Sequence, residues 1–427
     1  MPVTTLGWII ILILSALLVA LPKRLVFVPF FAAAFWIPIG QYIDIGGLNF
    51  YFGRILCLVG ISRVILRSER PVGMWNGIDK AMAIWGLLLF VTSIFHKVSF
   101  LTIRLGIIYD TVAVYVLFRC LISDFKDFTA AARAFTIVTI PIALALIIEY
   151  YTGHNWFSLF GGVEEFSQIR DGVVRAQGPF SHPINAGVAG AFNIGLSFFL
   201  WPKYKKTALS GFCTGILILL ACSSGGPVMG AGAVVLMSLL YPWREHSKKF
   251  MWAAMAMLLM LEIVMKAHVW YLLARLKVFG GSTAWYRAEL IDSAIKYISE
   301  WWLYGTDDTI RLMPFGGLSG YEGVADITSE YIKMMVNGGL GLFVVFVLLL
   351  NRGFKYVNIL RRHSETYKKS QWGPFEAWAV TSILFFFMIT FLSISYFGQI
   401  MILWVFVMAA ISSWWSTTET QSHYAVK

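Results

Sequence analysis

The chain has 427 residues, 58% of them apolar and 13% charged, with a mean hydropathy of +0.72. A soluble domain carries about a quarter charged residues, so this composition excludes a soluble enzyme, a disordered chain and a secreted disulfide scaffold, and leaves a polytopic membrane protein. The net charge of +11 does not point to nucleic acid, because the cations sit in short stretches between apolar runs, which is the pattern of membrane orientation.

Thirteen apolar segments follow one another along the chain: Trp8–Leu21, Leu25–Ile39, Leu48–Leu66, Met82–Phe95, Leu105–Leu121, Phe128–Tyr150, Ala186–Leu200, Ala208–Cys222, Val228–Leu240, Met251–Met265, Tyr331–Leu350, Ala377–Ser393 and Ile400–Trp414. They predict an all-α, polytopic helical membrane protein with about 12–13 transmembrane helices, forming one integral domain over residues 1–427. The first cation, Lys23, follows the first apolar run instead of preceding it, so that run is expected as a retained span and not a secretory leader. Alternating the spans puts most of the 34 Lys and Arg on one side, which the orientation rule makes cytoplasmic. Two long segments then face outward: 151–185, and a long helical loop at 266–330. A basic cytoplasmic loop is expected at Asn351–Gly373. Cys57, Cys120, Cys213 and Cys222 lie in or beside apolar segments and read as small buried residues.

The first outer loop ends in Arg170-Asp-Gly-Val-Val-Arg175-Ala-Gln177-Gly-Pro-Phe-Ser-His182-Pro-Ile-Asn185. Its Pro and Gly residues break helix, and irregular backbone at a membrane is tolerated where it is buried in protein or lines a polar cavity. Arg175, Gln177, His182 and Asn185 are expected to face such a cavity. Ser223-Ser224-Gly225-Gly226-Pro227 reads as a tight outer turn whose small residues allow close packing.

In the second outer loop, Ser282-Thr283 are N-cap residues for an amphipathic helix over Ala284–Trp302, expected to lie over the membrane surface. Asp292 and Lys296 read as a surface pair at i,i+4, and Arg287 as either a headgroup contact or a ligand-binding cation. Asp326 and Glu330, at the mouth of the next span, are either general bases or carboxylates capping a helix N-terminus. Arg54, Asp110, Arg133, Glu149 and Glu262 fall inside spans. Arg54, Asp110 and Glu149 lie toward the outer ends and are expected to line the same cavity. Asp307-Asp308 is the nearest approach to a metal-binding pair, and no His/Cys cluster suggests zinc. No cofactor and no metal is expected.

In order, Arg175-Ala-Gln-Gly-Pro-Phe-Ser-His182-Pro before a span, a Ser-Ser-Gly-Gly turn, Trp285-Tyr-Arg287 on a long outer loop, Tyr304-Gly305, Ser329-Glu330-Tyr331 and Gly338-Gly-Leu-Gly341 resemble the O-antigen ligase and polymerase superfamily of bacterial membrane glycosyltransferases. The resemblance covers Arg175 to about Gly341. It implies an enzyme of the inner membrane, facing the periplasm or exterior, that moves glycans carried on undecaprenyl diphosphate. It also implies that Arg175 and Arg287 hold the diphosphate, with Arg170 and Arg311 in reserve.

Ligases usually carry a His where this chain has Thr328, and the family's turn often reads Ser-Arg-Gly where this chain has no Arg. Both departures lean toward polymerisation of repeat units into O-antigen or exopolysaccharide. The alternatives are an O-antigen ligase acting on lipid A core and a lipid-linked oligosaccharide transporter. No internal repeat of the kind transporters often show is visible.

Expected partners are the lipid-linked glycan donor, a glycan or lipid-linked acceptor, membrane lipid and a candidate chain-length regulator, with no nucleic acid. Arginine suits the diphosphate because its planar fork binds phosphate oxygens in pairs and stays charged. Glu330, Asp326 or His182 would take the acceptor's proton. Metal-independent direct displacement predicts inversion at the anomeric carbon.

Overall fold

The computed structural model describes residues 3–272, 284–309, 326–366 and 372–425. Each of the thirteen apolar segments carries a helix over most of its length. In order these are α1 (Thr5–Ala20), α2 (Phe27–Trp36), α3 (Phe52–Leu66), α4 (Gly77–Ser93), α5 (Val98–Ile108), α6 (Val114–Leu121), α7 (Phe125–Thr152), α8 (Pro183–Leu200), α9 (Lys205–Cys222), α10 (Gly225–Leu239) and α11 (Ser247–Val264). Then follow α12 (Ala284–Lys296), α13 (Ile298–Trp301), α14 (Glu330–Thr366), α15 (Pro374–Thr390) and α16 (Met401–Ala425). Two small antiparallel hairpins, β1 (Tyr42–Ile45) with β2 (Leu48–Tyr51) and β3 (Gln168–Arg170) with β4 (Val173–Arg175), are the sheets among the described residues.

Six of these helical stretches are long and apolar enough to cross a membrane, and a seventh counts if α10 and the 241–264 helix, bent by 85°, form one span. Helices α1, α2 and α15 are apolar but shorter. Two boundaries differ from the sequence reading. Leu48–Tyr51 forms a hairpin strand instead of opening a span, because strand β1 supplies its backbone partners. The basic segment 351–366 continues α14 as helix where a loop was expected.

The bundle centres on α8, whose buried face is built from Ala, Gly and Phe. A Cβ on Gly215 of α9 would stand 2.7 Å from the Gly190 carbonyl oxygen, so α8 and α9 meet backbone to backbone. A polar pin holds α7 to this pair. Asn193 donates to Thr139 (2.9 Å) and Thr214 (2.8 Å) and accepts from Thr136 (2.9 Å). Each bond satisfies a group for which hydrocarbon offers no partner.

Between α5 and α6 a π-helical turn, Tyr109–Ala113, turns Asp110 inward. Arg54 grips Asp110 with Nε and Nη2, both at 2.7 Å, and the Tyr51 hydroxyl adds a third bond at 2.8 Å. The side chains of Arg54 and Asp110 are only 13% and 12% exposed. Removing one partner strands the other charge, which typically costs about 3–5 kcal/mol, whereas replacing both with apolar groups does not. Asp110→Ala is therefore expected to lower the thermal stability of the detergent-purified protein sharply. Adding Arg54→Leu should recover most of the loss. A double variant as unstable as the single one would show that the pair is not the cause.

Helix α14 is broken near its start. Gly338 (φ −155°, ψ 20°) and Gly339 (φ 72°, ψ −170°) leave helical geometry. The turn Trp302–Gly305 fits into the gap. Thr306 N–H donates to the Val336 carbonyl and Leu340 N–H to the Trp302 carbonyl, both at 2.8 Å. Glycine is required on both sides of this interlock. A Cβ on Gly305 would lie 2.1 Å from the Val336 oxygen, and one on Gly339 2.5 Å from the Leu303 oxygen.

The face of α12 expected over the membrane surface packs instead on the first turns of α14. Tyr286, Leu290, Ala294 and Trp301 form a satellite core with Ile332 and Val336. Trp285, Ile295, Ile298 and Trp302 stay exposed. Asp292 is not a simple surface partner of Lys296. It accepts from the Trp270 indole (2.7 Å) and from the Tyr271 hydroxyl, tying α12 to the segment before it. Ser282 and Thr283, the expected caps, lie outside the described residues.

Candidate functional site

At the end of the bundle formed by the C-terminus of α7 and the N-terminus of α8, the segment 151–185 folds back onto the helices. Glu149, in the last turn of α7, is 1% exposed. Its carboxylate accepts from Gln177 N–H (2.9 Å), Gly178 N–H (2.8 Å) and the Ser167 hydroxyl (2.9 Å). Glu149 therefore does not line an open cavity, because its oxygens hold the loop that bears Arg175. Asn155 reinforces this with a bond from its amide to the Gly178 carbonyl, 2.8 Å. Ala176 N–H binds the Ala221 carbonyl at 3.0 Å and seats the end of β4 on the C-terminus of α9.

Arg175 is thus held in place from its backbone outward. It is 7% exposed, and Nη2 donates to the Ser224 hydroxyl at 2.6 Å. Its Nε is buried without a protein partner. The Ser-Ser-Gly-Gly turn, read from its small residues as a packing turn, is part of this arrangement. Ser223 takes a left-handed conformation (φ 44°), and Ser224 then opens α10. Gly226 packs on Ile394 and Ser393.

That contact leads to the second cation. Arg287, on α12, donates from Nε to the Ser393 carbonyl at 3.1 Å. It points into the protein and not toward headgroups. The exposed Arg170, at the end of β3, exerts its charge on Arg175, Arg287 and His182 alike, which puts all four in one basic neighbourhood. Burial, together with the charge of Arg170, lowers the pKa of both Arg175 and Arg287, and Asp326 partly offsets this for Arg287. An anion entering here would relieve that repulsion.

His182 is the N-cap of α8, and its Nδ1 accepts from Ile184 N–H at 3.1 Å. Burial, then the charges of Arg175 and Arg170, push its pKa down to about 4. With Nδ1 accepting, the neutral ring carries its proton on Nε2 and presents a donor, not a base. Asn185 keeps its amide on the Ser181 hydroxyl (3.2 Å) and has a buried Oδ1 without a partner.

Of the two carboxylates, Asp326 stands at the site and Glu330 beneath it. Asp326 is exposed on the rim, and the Tyr286 hydroxyl pins its carbonyl at 2.7 Å. The surrounding protein lifts its carboxyl above the ordinary value, while Arg287 draws it back. Glu330 is 1% exposed. It accepts from Tyr396 N–H at 2.6 Å and lies 3.6 Å from the Lys333 ammonium. Its Oε2 serves the loop between α15 and α16, and its Oε1 is buried without a protein partner. Arg311 lies outside the described residues.

Sequence reasoning missed that loop. Its backbone between Phe391 and Tyr396 receives Ser329, Glu330 N–H, Arg287 and Lys333. It carries no charged side chain to draw notice. Asp307 faces the His96 ring at 2.6 Å and accepts from Lys97 N–H at 2.8 Å. The arrangement as a whole suits an anion bound by one buried and one half-buried arginine, with a carboxylate at its edge. No family model matches this chain, and no curated protein matches it.

Proposed function

We infer that this chain polymerises undecaprenyl-diphosphate-linked oligosaccharide units into O-antigen or exopolysaccharide at the outer face of a bacterial inner membrane. The reading keeps the thirteen-segment topology of the sequence, with the short helices as half-spans and the Arg175 end outside. The observation that carries it is the pair of arginines from separate loops, held by the protein and both under the field of Arg170, with Arg175 Nε buried and unpartnered.

In this reading Arg175 and Arg287 hold the donor's diphosphate. The acceptor hydroxyl oxygen attacks the anomeric carbon as the bond from that carbon to phosphate oxygen breaks. The electron pair leaves on the diphosphate, where the arginines stabilise the growing charge. The hydroxyl proton passes to the Asp326 carboxylate, the candidate base that is exposed beside Arg287. Neutral His182 donates from Nε2 to an oxygen of donor or acceptor. Attack opposite the leaving group inverts the anomeric centre, and a product with retained configuration would overturn the direct step.

The test is deletion of the gene followed by analysis of the lipid-linked glycans. Single repeat units that persist outside while long chains vanish support a polymerase. Long chains stranded on undecaprenyl diphosphate identify a ligase, and units trapped on the cytoplasmic face identify a transporter.

The base assignment has its own test. Asp326→Asn should lower turnover about 10²–10⁴-fold with donor affinity little changed. Because the base works deprotonated, activity should fall as pH drops through the Asp326 pKa, at a higher pH than for an ordinary aspartate. No limb near pH 6–7 should come from His182, which is already neutral there. If Asp326→Asn leaves turnover intact, the base lies elsewhere.

A further inference from the structure

The opposite end of α7 and α8 carries a second basic site. A cavity of about 320 Å³ is lined by Arg24, Phe125, Lys126, Thr129, Ala130, Arg133, Lys203 and Tyr204. Within it Lys126, Thr129, Ala130 and Arg133 follow i, i+3, i+4, i+7 and so form one face of α7. The two small residues leave a trough, and a cation stands at each end of it.

The cations are not equivalent. Arg24 is engaged by Asp127 (3.1 Å) and Asp124 (3.7 Å), and Lys203 by Glu376 (3.1 Å). Among the described residues no carboxylate pairs with Lys126 or Arg133. Arg133 lies over the Tyr204 ring, 4.7 Å from its centre. A cation two turns inside an apolar helix is costly unless an anion answers it.

The same helical face continues beyond Arg133 as Ile137, Pro141, Leu144 and Ile148. The three aliphatic residues are 51%, 59% and 47% exposed. Arg133 to Ile148 spans about 22 Å of helix, more than the ~15 Å depth of one hydrocarbon leaflet. Cations at one end and an exposed apolar track leading away from them match a phosphate headgroup with its acyl chain. A free anion has no use for the track.

We propose that this trough binds an anionic phospholipid, its phosphate between Lys126 and Arg133 and its acyl chain along the exposed face of α7. Basic pockets between membrane helices bind such headgroups on the cytoplasmic side, which is where the charge distribution of this sequence puts this end. The site is separate from the Arg175 cluster and does not depend on the reaction performed there.

The experiment is thermal unfolding of the full chain in detergent, titrated with phosphatidylglycerol, phosphatidylcholine or inorganic phosphate. Phosphatidylglycerol should raise the midpoint in a saturable manner, and the other two should not. K126Q/R133Q should weaken the apparent affinity ~30-fold, at about 1 kcal/mol per cation near a lipid surface. Should that variant not purify, Ala130→Phe keeps every charge, fills the trough and should abolish the response.

An equal rise with phosphatidylcholine would show that charge plays no part. An equal rise with phosphate would show that the acyl track plays none. Wild-type affinity in either variant would place the lipid elsewhere. Each of these results overturns the proposal.

Discussion

Arg175→Ala or Arg287→Ala is expected to reduce glycan transfer by about 10²–10³-fold or more, the scale of losing one preorganised donor to a developing anion. Each variant should still accumulate in the membrane. The two arginines reach the site by different routes: Arg175 is held through the Glu149-anchored loop and Ser224, Arg287 through α12 and the Ser393 carbonyl. Among the described residues neither closes a salt bridge, so truncation should remove ligand contacts more than stability.

Lysine at either position keeps the charge and loses the fork, so activity should fall between wild type and alanine. Transfer from a lipid-linked donor in isolated membranes is the readout, with protein level as control. Near-normal transfer by both alanine variants would mean that this cluster does not bind the donor.

The second large effect concerns stability. Gly339→Val should cost on the order of 3–5 kcal/mol, enough to deplete the folded protein. At φ 72° and ψ −170°, Gly339 occupies a region essentially closed to other residues. Its Cβ would also strike backbone and not a yielding side chain. Gly305→Ala should be similarly severe, since its Cβ would meet the Val336 carbonyl. By contrast Gly232, with open space around it, should accept alanine with little change. The measurement is the fraction of monodisperse protein after extraction together with its unfolding midpoint. Equal stability of the Gly339 and Gly232 variants would show that the interlock contributes nothing.

The helices were legible because hydrocarbon leaves a chain no other way to satisfy its backbone, so every long apolar run had to carry one. Their ends were less legible. Helix α14 runs on to Thr366 through a basic stretch that hydropathy alone reads as loop, and Leu48–Tyr51 is apolar but finds its partner in β1.

At the site, Arg170, Arg175, His182, Arg287 and Asp326 were all named from residue type and position, and the fold draws them together. Glu330, named beside Asp326, is buried, and one of its oxygens accepts from a backbone amide more than sixty residues away, at Tyr396, a bond that no local pattern announces. Glu149 was placed at the correct end of its helix, yet its oxygens go to Gln177 and Gly178, bonds that no local pattern announces. The loop from Phe391 to Tyr396 acts through its main chain, and main-chain roles leave no compositional trace.

The interlock at Gly305 and Gly339 closes the stretch from Thr306 to Val336 into a lasso. Thr306 bonded to Val336 and Leu340 to Trp302 knot its two ends together, whatever the length of chain between them. Lengthening a closed arc is cheap, about 0.6 kcal/mol for each doubling. Asp326 therefore lies inside a closed arc whose two feet are fixed, and a change in the length of that arc leaves the bundle closed.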